Sequence, residues 1–268
     1  MAAPSAPPAA PPPSEVTKAT WLTEERRRLV AAAESARTGG GLSLAALLRA
    51  LEILGTGYDI VFGAGWAAAL ANACKGDLHS HLSALEQALA AASAGSGGAG
   101  AAGGGGGSSG GGGAAGGAGA DVTIEALVDA QLAAFGGREG VRRDGPHNIV
   151  NHLLWIQRIL AFVARFLEVV VGIEGQAKAE TWTAARAAYA QFFSPFHPTV
   201  LQWAVPPLLG LVPKKASMLA SMGPMSEADG DAAAAALVRD GLAPVAARLL
   251  AILAQRDLLF TDTAGAAF

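Results

Sequence analysis

Apolar residues recur at spacings of three and four along most of this chain, which is the period of an amphipathic helix. Alanine and leucine dominate these stretches, and the alternation of β-branched residues that is typical of strands is scarce. Glycine and proline separate one stretch from the next. The pattern predicts an all-α protein with helices over residues 24–35, 43–54, 77–92, 123–135, 148–171, 177–193, 199–211, 226–239 and 245–257.

Two stretches lack this periodicity. Residues 1–18 are rich in proline and alanine, and residues 93–120 are almost entirely glycine, alanine and serine. Neither composition can bury enough apolar surface to offset the entropy of ordering the chain. We therefore expect a disordered tail over 1–18 and one domain over 19–260, with 93–120 as a low-complexity loop inside it.

The segment 55–76 leaves two alternatives open, a helix or an inserted loop. Tyr58, Phe62 and Trp66 follow each other at a spacing of four and would share one face of a helix. We expect these aromatic side chains to pack rather than to bind a ligand.

Charge and cysteine content exclude several classes of protein. The net charge of −3 and the absence of a basic run argue against a nucleic-acid partner. Cys74 is the single cysteine, so neither an internal disulfide nor a cysteine-based zinc site is expected.

The most apolar stretch, 159–173, is interrupted by Arg165 and Glu168 and is too short to span a bilayer. We expect a monomer in the cytoplasm, peripheral at membranes.

No catalytic motif stands out. The sequence lacks G-x-S-x-G, H-E-x-x-H, a phosphate-binding Walker loop and a dinucleotide-binding glycine motif. His79 and His81 are two residues apart and cannot face the same side of a helix to hold a metal with Asp77. The sequence therefore predicts neither an enzyme nor a metal or cofactor site.

Three segments combine polar groups with apolar helices. Asp77 and His81 stand four apart and share a helical face, although an N-capping aspartate beside a solvated histidine would give the same pattern. His197 precedes an apolar helix that carries Trp203, where a hydrogen-bonded packing histidine is the ordinary interpretation.

The third segment is the helix over 148–171. Asn151, Trp155, Arg158 and Phe162 step by four, three and four, so an amide, an indole, a guanidinium and a phenyl ring form one stripe. The alternative is a core helix from which Arg158 extends to water.

Three segments together resemble the glycolipid transfer protein family in their order and approximate spacing, namely residues 77–85, 155–167 and 189–197. The resemblance covers about residues 42–92 and 121–258. It implies a two-layer α-helical sandwich that opens to admit the chains of a sphingolipid, and therefore a carrier that moves a glycosphingolipid between membranes without an enzymatic reaction.

The resemblance also implies roles for individual residues. Asp77 would accept hydrogen bonds from the ceramide amide and sugar hydroxyls, His197 would donate to the amide carbonyl, and Trp155 would stack on the sugar. The remaining predicted headgroup residues are His81, Asn151 and Arg158. The ceramide-1-phosphate branch of the family has arginine or lysine near the positions of Asn151 and Trp155, so these two residues favour an uncharged sugar.

The sequence departs from the family at three positions. His81 stands where glycolipid-binding members usually have asparagine, Ala84 replaces a lysine that helps to read the sugar, and Thr199 replaces an interfacial tryptophan. Membrane docking must therefore use other groups, for which aromatic and basic side chains are suited. The candidates are Phe196, Trp203, Lys214, Lys215 and Met218.

Two other functions remain open at this point. One is a ceramide-1-phosphate carrier, in which Lys75, His81 and Arg158 would supply positive charge. The other is a helical lipid sensor or adaptor without transfer activity, which the departures at Ala84 and Thr199 would allow.

Overall fold

The computed structural model describes residues 21–37, 41–62, 67–96, 122–145, 148–173, 178–222 and 226–260. These ranges are helical and contain no β-strand; an isolated antiparallel bridge joins Ser43 to Thr123. The helices are α1 (Trp21–Arg37), α2 (Leu44–Phe62), α3 (Ala67–Ser96), α4 (Ile124–Ala134), α5 (Arg138–Asp144), α6 (Ile149–Val171), α7 (Thr181–Phe192), α8 (Thr199–Leu208), α9 (Lys215–Met222), α10 (Glu227–Leu237) and α11 (Ala243–Ala254).

Helix α6 is the centre of the fold. It packs against α3, α7 and α11, and α2 packs between α1 and α3. The side chain of Asn148 caps α6 by accepting a hydrogen bond from the N–H of Asn151 at 2.9 Å. Gly172 ends the helix in the left-handed conformation. The bounds that the sequence predicts for this helix are therefore confirmed.

The start of α3 differs from the prediction. The helix begins at Ala67, so Asp77 lies well inside it and is not an N-cap. Gly76 does not break the helix because the alanine-rich turns before it have high helix propensity and nothing crowds this exposed glycine. The same helix runs to Ser96, so the first residues of the predicted loop 93–120 are helical.

The junction of α10 and α11 also differs. The sequence predicts a break between residues 239 and 245, but a π-helical turn over Val238–Leu242 joins the two helices. Gly241 permits close packing here, since a Cβ at this position would lie 2.8 Å from the Cβ of Leu29. The short helices α5 and α9 were not predicted, because seven or eight residues carry too little periodicity.

The residues that follow the low-complexity insertion pair with the segment at the start of α2. Beside the Ser43–Thr123 bridge, the N–H of Leu44 donates to the carbonyl of Val122 at 2.9 Å, and the N–H of Ile124 donates to Leu42 at 2.8 Å. Arg248 holds Glu125 in the same region. These contacts hold the residues that follow the insertion against the start of α2 and against α11.

Several predictions fall outside the described residues. They are the tail 1–18, the loop beyond Ser96 as far as residue 120, Trp66, and the side chains of Tyr58 and Phe62. Within the described ranges, none of the helices has the length and apolar character needed to cross a membrane.

Candidate functional site

A cluster of polar and aromatic side chains lies where α3, α6 and α7 meet the segment before α8. We call this cluster the polar site. Its members are Asp77 and His81 on α3, His152, Trp155 and Arg158 on α6, Tyr189 on α7, and Phe193, Phe196 and His197 around the 3-10 turn Ser194–Phe196.

His81 connects α3 to α6. Its Nδ1 lies 2.8 Å from Nδ1 of His152, so the N–H of one ring donates a hydrogen bond to the other ring. The ring of His81 also stacks on Trp155 with centroids 6.3 Å apart. On its other side, Nε2 lies 3.5 Å from Asp77 Oδ1, a separation for electrostatic attraction rather than a hydrogen bond.

His152 was missed by the sequence reasoning. It precedes Trp155 by three residues and therefore lies on the same side of α6, which is a spacing that the sequence does show. Asn151 next to it is also buried, one turn before Trp155.

Trp155 lies at the centre of the polar site and is only 2% exposed. Its ring stacks on His197 at 5.5 Å between centroids and on Phe193 at 6.0 Å. The predicted stacking of a sugar on this indole therefore requires a neighbouring ring or side chain to move.

Arg158 is buried beside Trp155, with only 4% of the residue exposed. The alternative in which its side chain reaches water is therefore wrong. Its guanidinium carbon lies 5.0 Å from the Trp155 ring and 3.5 Å from the centre of the Phe196 ring. The Nη1 atom has no hydrogen-bond partner. Burial lowers the pKa of Arg158 to about 10, so the group stays charged at neutral pH.

Tyr189 determines which nitrogen of His197 carries a proton. The tyrosine hydroxyl donates to the carbonyl of Leu201 at 3.1 Å and lies 3.0 Å from His197 Nδ1. Because a hydroxyl has one proton, Nδ1–H of His197 must donate to it. In the neutral ring Nε2 is then an acceptor, so the predicted donation to a lipid carbonyl needs the doubly protonated ring.

The pKa of His197 is lower than usual. Burial is the largest cause, the carboxylate of Asp77 opposes the shift, and the positive charge of Arg158 adds to it. Asp77 lies beside His81, whose ring stacks on Trp155, and Trp155 in turn stacks on His197. The structure thus brings together Asp77, Trp155 and His197 from three separate segments.

A small apolar cluster lies next to the polar site. Ala185, Tyr189 and Leu209 are its buried members, and Phe162, Phe166, Phe193, Val205 and Val212 pack against them. Phe193 contacts both this cluster and Trp155. The polar site therefore adjoins apolar groups that also face the main core.

The predicted docking residues have different environments. Trp203 on α8 is 79% exposed, and Lys214 is exposed as well. Met218 is buried, so it is not available to a membrane in this structure. Lys215 binds Asp231 at 2.7 Å and Glu227 at 3.0 Å, which engages its charge within the protein. Phe196 covers Arg158.

Comparisons with solved structures identify the fold. An Arabidopsis accelerated-cell-death 11 mutant complexed with ceramide-1-phosphate matches with a TM-score of 0.63 at 17% identity, covering 93% of this chain and 100% of that one. Human ceramide-1-phosphate transfer protein matches with a TM-score of 0.61 at 13% identity, covering 88% and 97%. A fungal glycolipid transfer protein, HET-C2, matches with a TM-score of 0.58 at 17% identity, covering 84% and 92%.

These identities are low, so the likeness concerns the fold, which is the all-α sandwich that the sequence predicts. No curated protein matches the sequence. The family model described as glycolipid transfer protein matches residues 115–224, a range that includes Trp155, Arg158, Tyr189 and His197. The match of residues 115–224 to this family model and the shared fold agree with the resemblance to the glycolipid transfer protein family.

Proposed function

We propose that this protein carries a sphingolipid between membranes facing the cytoplasm, without covalent chemistry. The observation that carries the proposal is the meeting of Asp77, Trp155, Arg158 and His197 in one polar site beside apolar side chains. Proteins with the same fold are named for ceramide-1-phosphate and glycolipid transfer, which supports this class of ligand.

Free-energy estimates separate the role of the apolar interior from that of the polar site in such a carrier. A two-chain lipid with about 30 methylenes would cost roughly 25 kcal/mol to expose to water. Hydrogen bonds to the headgroup contribute only about 1 kcal/mol each. The apolar interior would therefore hold the lipid, while the polar site would select among headgroups.

We infer that the first candidate headgroup is an uncharged sugar on ceramide. The polar site contains one carboxylate, Asp77, and one guanidinium, Arg158, and the lowered pKa of His197 favours its neutral form. These charges nearly balance, which suits a neutral ligand. The indole of Trp155 offers an apolar face and one N–H to a sugar, and Asp77 accepts hydrogen bonds from hydroxyls.

A specific observation favours a second candidate, ceramide-1-phosphate. The Nη1 atom of Arg158 is buried and unpaired, and a phosphate oxygen would give it a charge-assisted hydrogen bond. His81 and Lys75 are the other basic groups on the adjacent helix α3.

Docking would use the exposed end of the molecule near the polar site. Trp203 and Val200 project from α8, and Lys214 adds a positive charge that suits an anionic lipid surface. The hydrogen bond from Tyr189 to Leu201 ties this helix to the polar site.

Transfer of fluorescent glucosylceramide between vesicles tests the proposal, with unlabelled ceramide-1-phosphate and glucosylceramide as competitors. The Trp155→Ala variant should lose transfer while retaining helical circular dichroism, and Trp182→Ala, which changes an exposed tryptophan on α7, should not. Unchanged transfer by Trp155→Ala would refute the site. Lipid that co-purifies with a protein lacking any transfer activity would instead indicate a sensor or adaptor.

A further inference from the structure

The ring of Phe196 lies directly over the guanidinium of Arg158. The guanidinium carbon is 3.5 Å from the ring centre, closer than the 5.0 Å that separates it from the Trp155 ring. The 3-10 turn fixes this position, since the N–H groups of Phe196 and His197 both donate to the carbonyl of Phe193, at 2.9 and 3.0 Å. Two aromatic rings thus contact one buried cation.

One nitrogen of this guanidinium, Nη1, is buried without a hydrogen-bond partner. An aromatic face attracts a cation but has no oxygen to accept a hydrogen bond. Nη1 of Arg158 accordingly has no hydrogen-bond partner, although only 4% of the residue is exposed. A buried arginine usually pairs with a carboxylate, but Asp77 lies beside His81 instead.

We propose that Phe196 determines the headgroup specificity of this carrier by covering Arg158 and so excluding a phosphate from it. The inference rests on the proposed function, because it concerns the choice between two headgroups at the same site. With Phe196 in place, a phosphate must displace the ring before its oxygens reach the guanidinium. An uncharged sugar that stacks on Trp155 must displace His197 or Phe193, but it needs no contact with the guanidinium beneath Phe196.

The neighbouring charges agree with this role. Asp77 would repel a phosphate, and Arg158 is the group that could compensate for that repulsion. The pKa of Arg158, about 10, leaves it charged at neutral pH, so the positive charge is present beneath the ring. Removing the Phe196 ring should therefore raise the affinity for ceramide-1-phosphate relative to glucosylceramide, although no new charge is introduced.

The first test is a competition measurement with Phe196→Ala. We expect its affinity for ceramide-1-phosphate relative to glucosylceramide to rise by roughly tenfold, the effect of one charge-assisted hydrogen bond. The double variant Phe196→Ala with Arg158→Met should lose this gain. Phe260→Ala is a matched control, because Phe260 contacts Arg138 in a second cation–π pair at 5.9 Å. It should leave the ratio unchanged.

A second measurement does not require lipid carriage. Inorganic phosphate is titrated while the side-chain Nε–Hε signal of Arg158 is followed by NMR, in the wild type and in Phe196→Ala. We expect phosphate to move the signal only in the variant. Equal movement in both proteins, or an unchanged lipid ratio in a variant that still binds glucosylceramide, would overturn the role of Phe196. A wild type that binds neither lipid overturns the proposed function, while the phosphate titration still decides whether Phe196 covers Arg158.

Discussion

The Nδ1 atoms of His81 and His152 lie 2.8 Å apart across the contact between α3 and α6. A single proton joins them, and this bond holds the His81 ring against Trp155. This histidine pair therefore fixes the part of the polar site nearest Asp77. The two Nδ1 atoms bind each other, so neither is available to a ligand.

His152→Ala should weaken lipid binding even though His152 was not among the predicted headgroup residues. Loss of one hydrogen bond of about 1 kcal/mol frees the His81 ring, and we expect roughly a fivefold loss of affinity for glucosylceramide. His79→Ala is the control, because His79 is an exposed histidine on α3. Competition binding checks both variants, and equal affinities would show that the pair has no part in the site.

The lowered pKa of His197 predicts a pH dependence of stability. The unfolded chain titrates near the usual value of 6.5, whereas the folded chain takes up this proton only at lower pH. Between these two pKa values the unfolded state binds more protons, so the free energy of unfolding decreases as the pH falls below about 6.5.

Urea unfolding at about pH 7.5 and about pH 5.5 measures this effect. The stability difference between wild type and His197→Gln should shrink at the lower pH, because glutamine cannot titrate. A difference that is constant across this range would mean that burial of the neutral ring does not disfavour protonation.

Trp203→Ala should weaken binding to anionic vesicles by roughly tenfold, because a large apolar side chain no longer leaves water at the bilayer interface. Leu250→Ala serves as the control, since Leu250 is a large apolar side chain exposed on α11. Vesicle sedimentation gives both affinities. If the two substitutions have equal effects, α8 is not the docking element.

Much of the fold could be predicted because local signals specify it. The continuous apolar surface of α6, its cap at Asn148 and its end at Gly172 are all visible in the sequence. The start of α3 could not be predicted from local signals, because Gly76 followed by Asp77 looks like a helix boundary. Tertiary packing and the preceding alanines override that pattern.

Part of the polar site could likewise be predicted from the sequence, and part of it could not. The family resemblance predicts that Asp77, Trp155 and His197 converge, and the structure places them together; their role in headgroup binding remains a prediction. Three contacts were not predicted: the hydrogen bond between His81 and His152, the hydrogen bond that His197 donates to Tyr189, and the position of Phe196 over Arg158. Each depends on a contact between side chains of different elements, or on a rotamer, and spacing along one helix carries no such information.

Native mass spectrometry of the protein purified from its cells tests the central claim most directly. The wild type should carry one ceramide-based lipid per chain, and Asp77→Val should carry little or none because the carboxylate acceptor of the polar site has been removed. Absence of lipid from the wild type, or equal occupancy of both proteins by the same lipid, would contradict the assignment of a sphingolipid headgroup to the polar site.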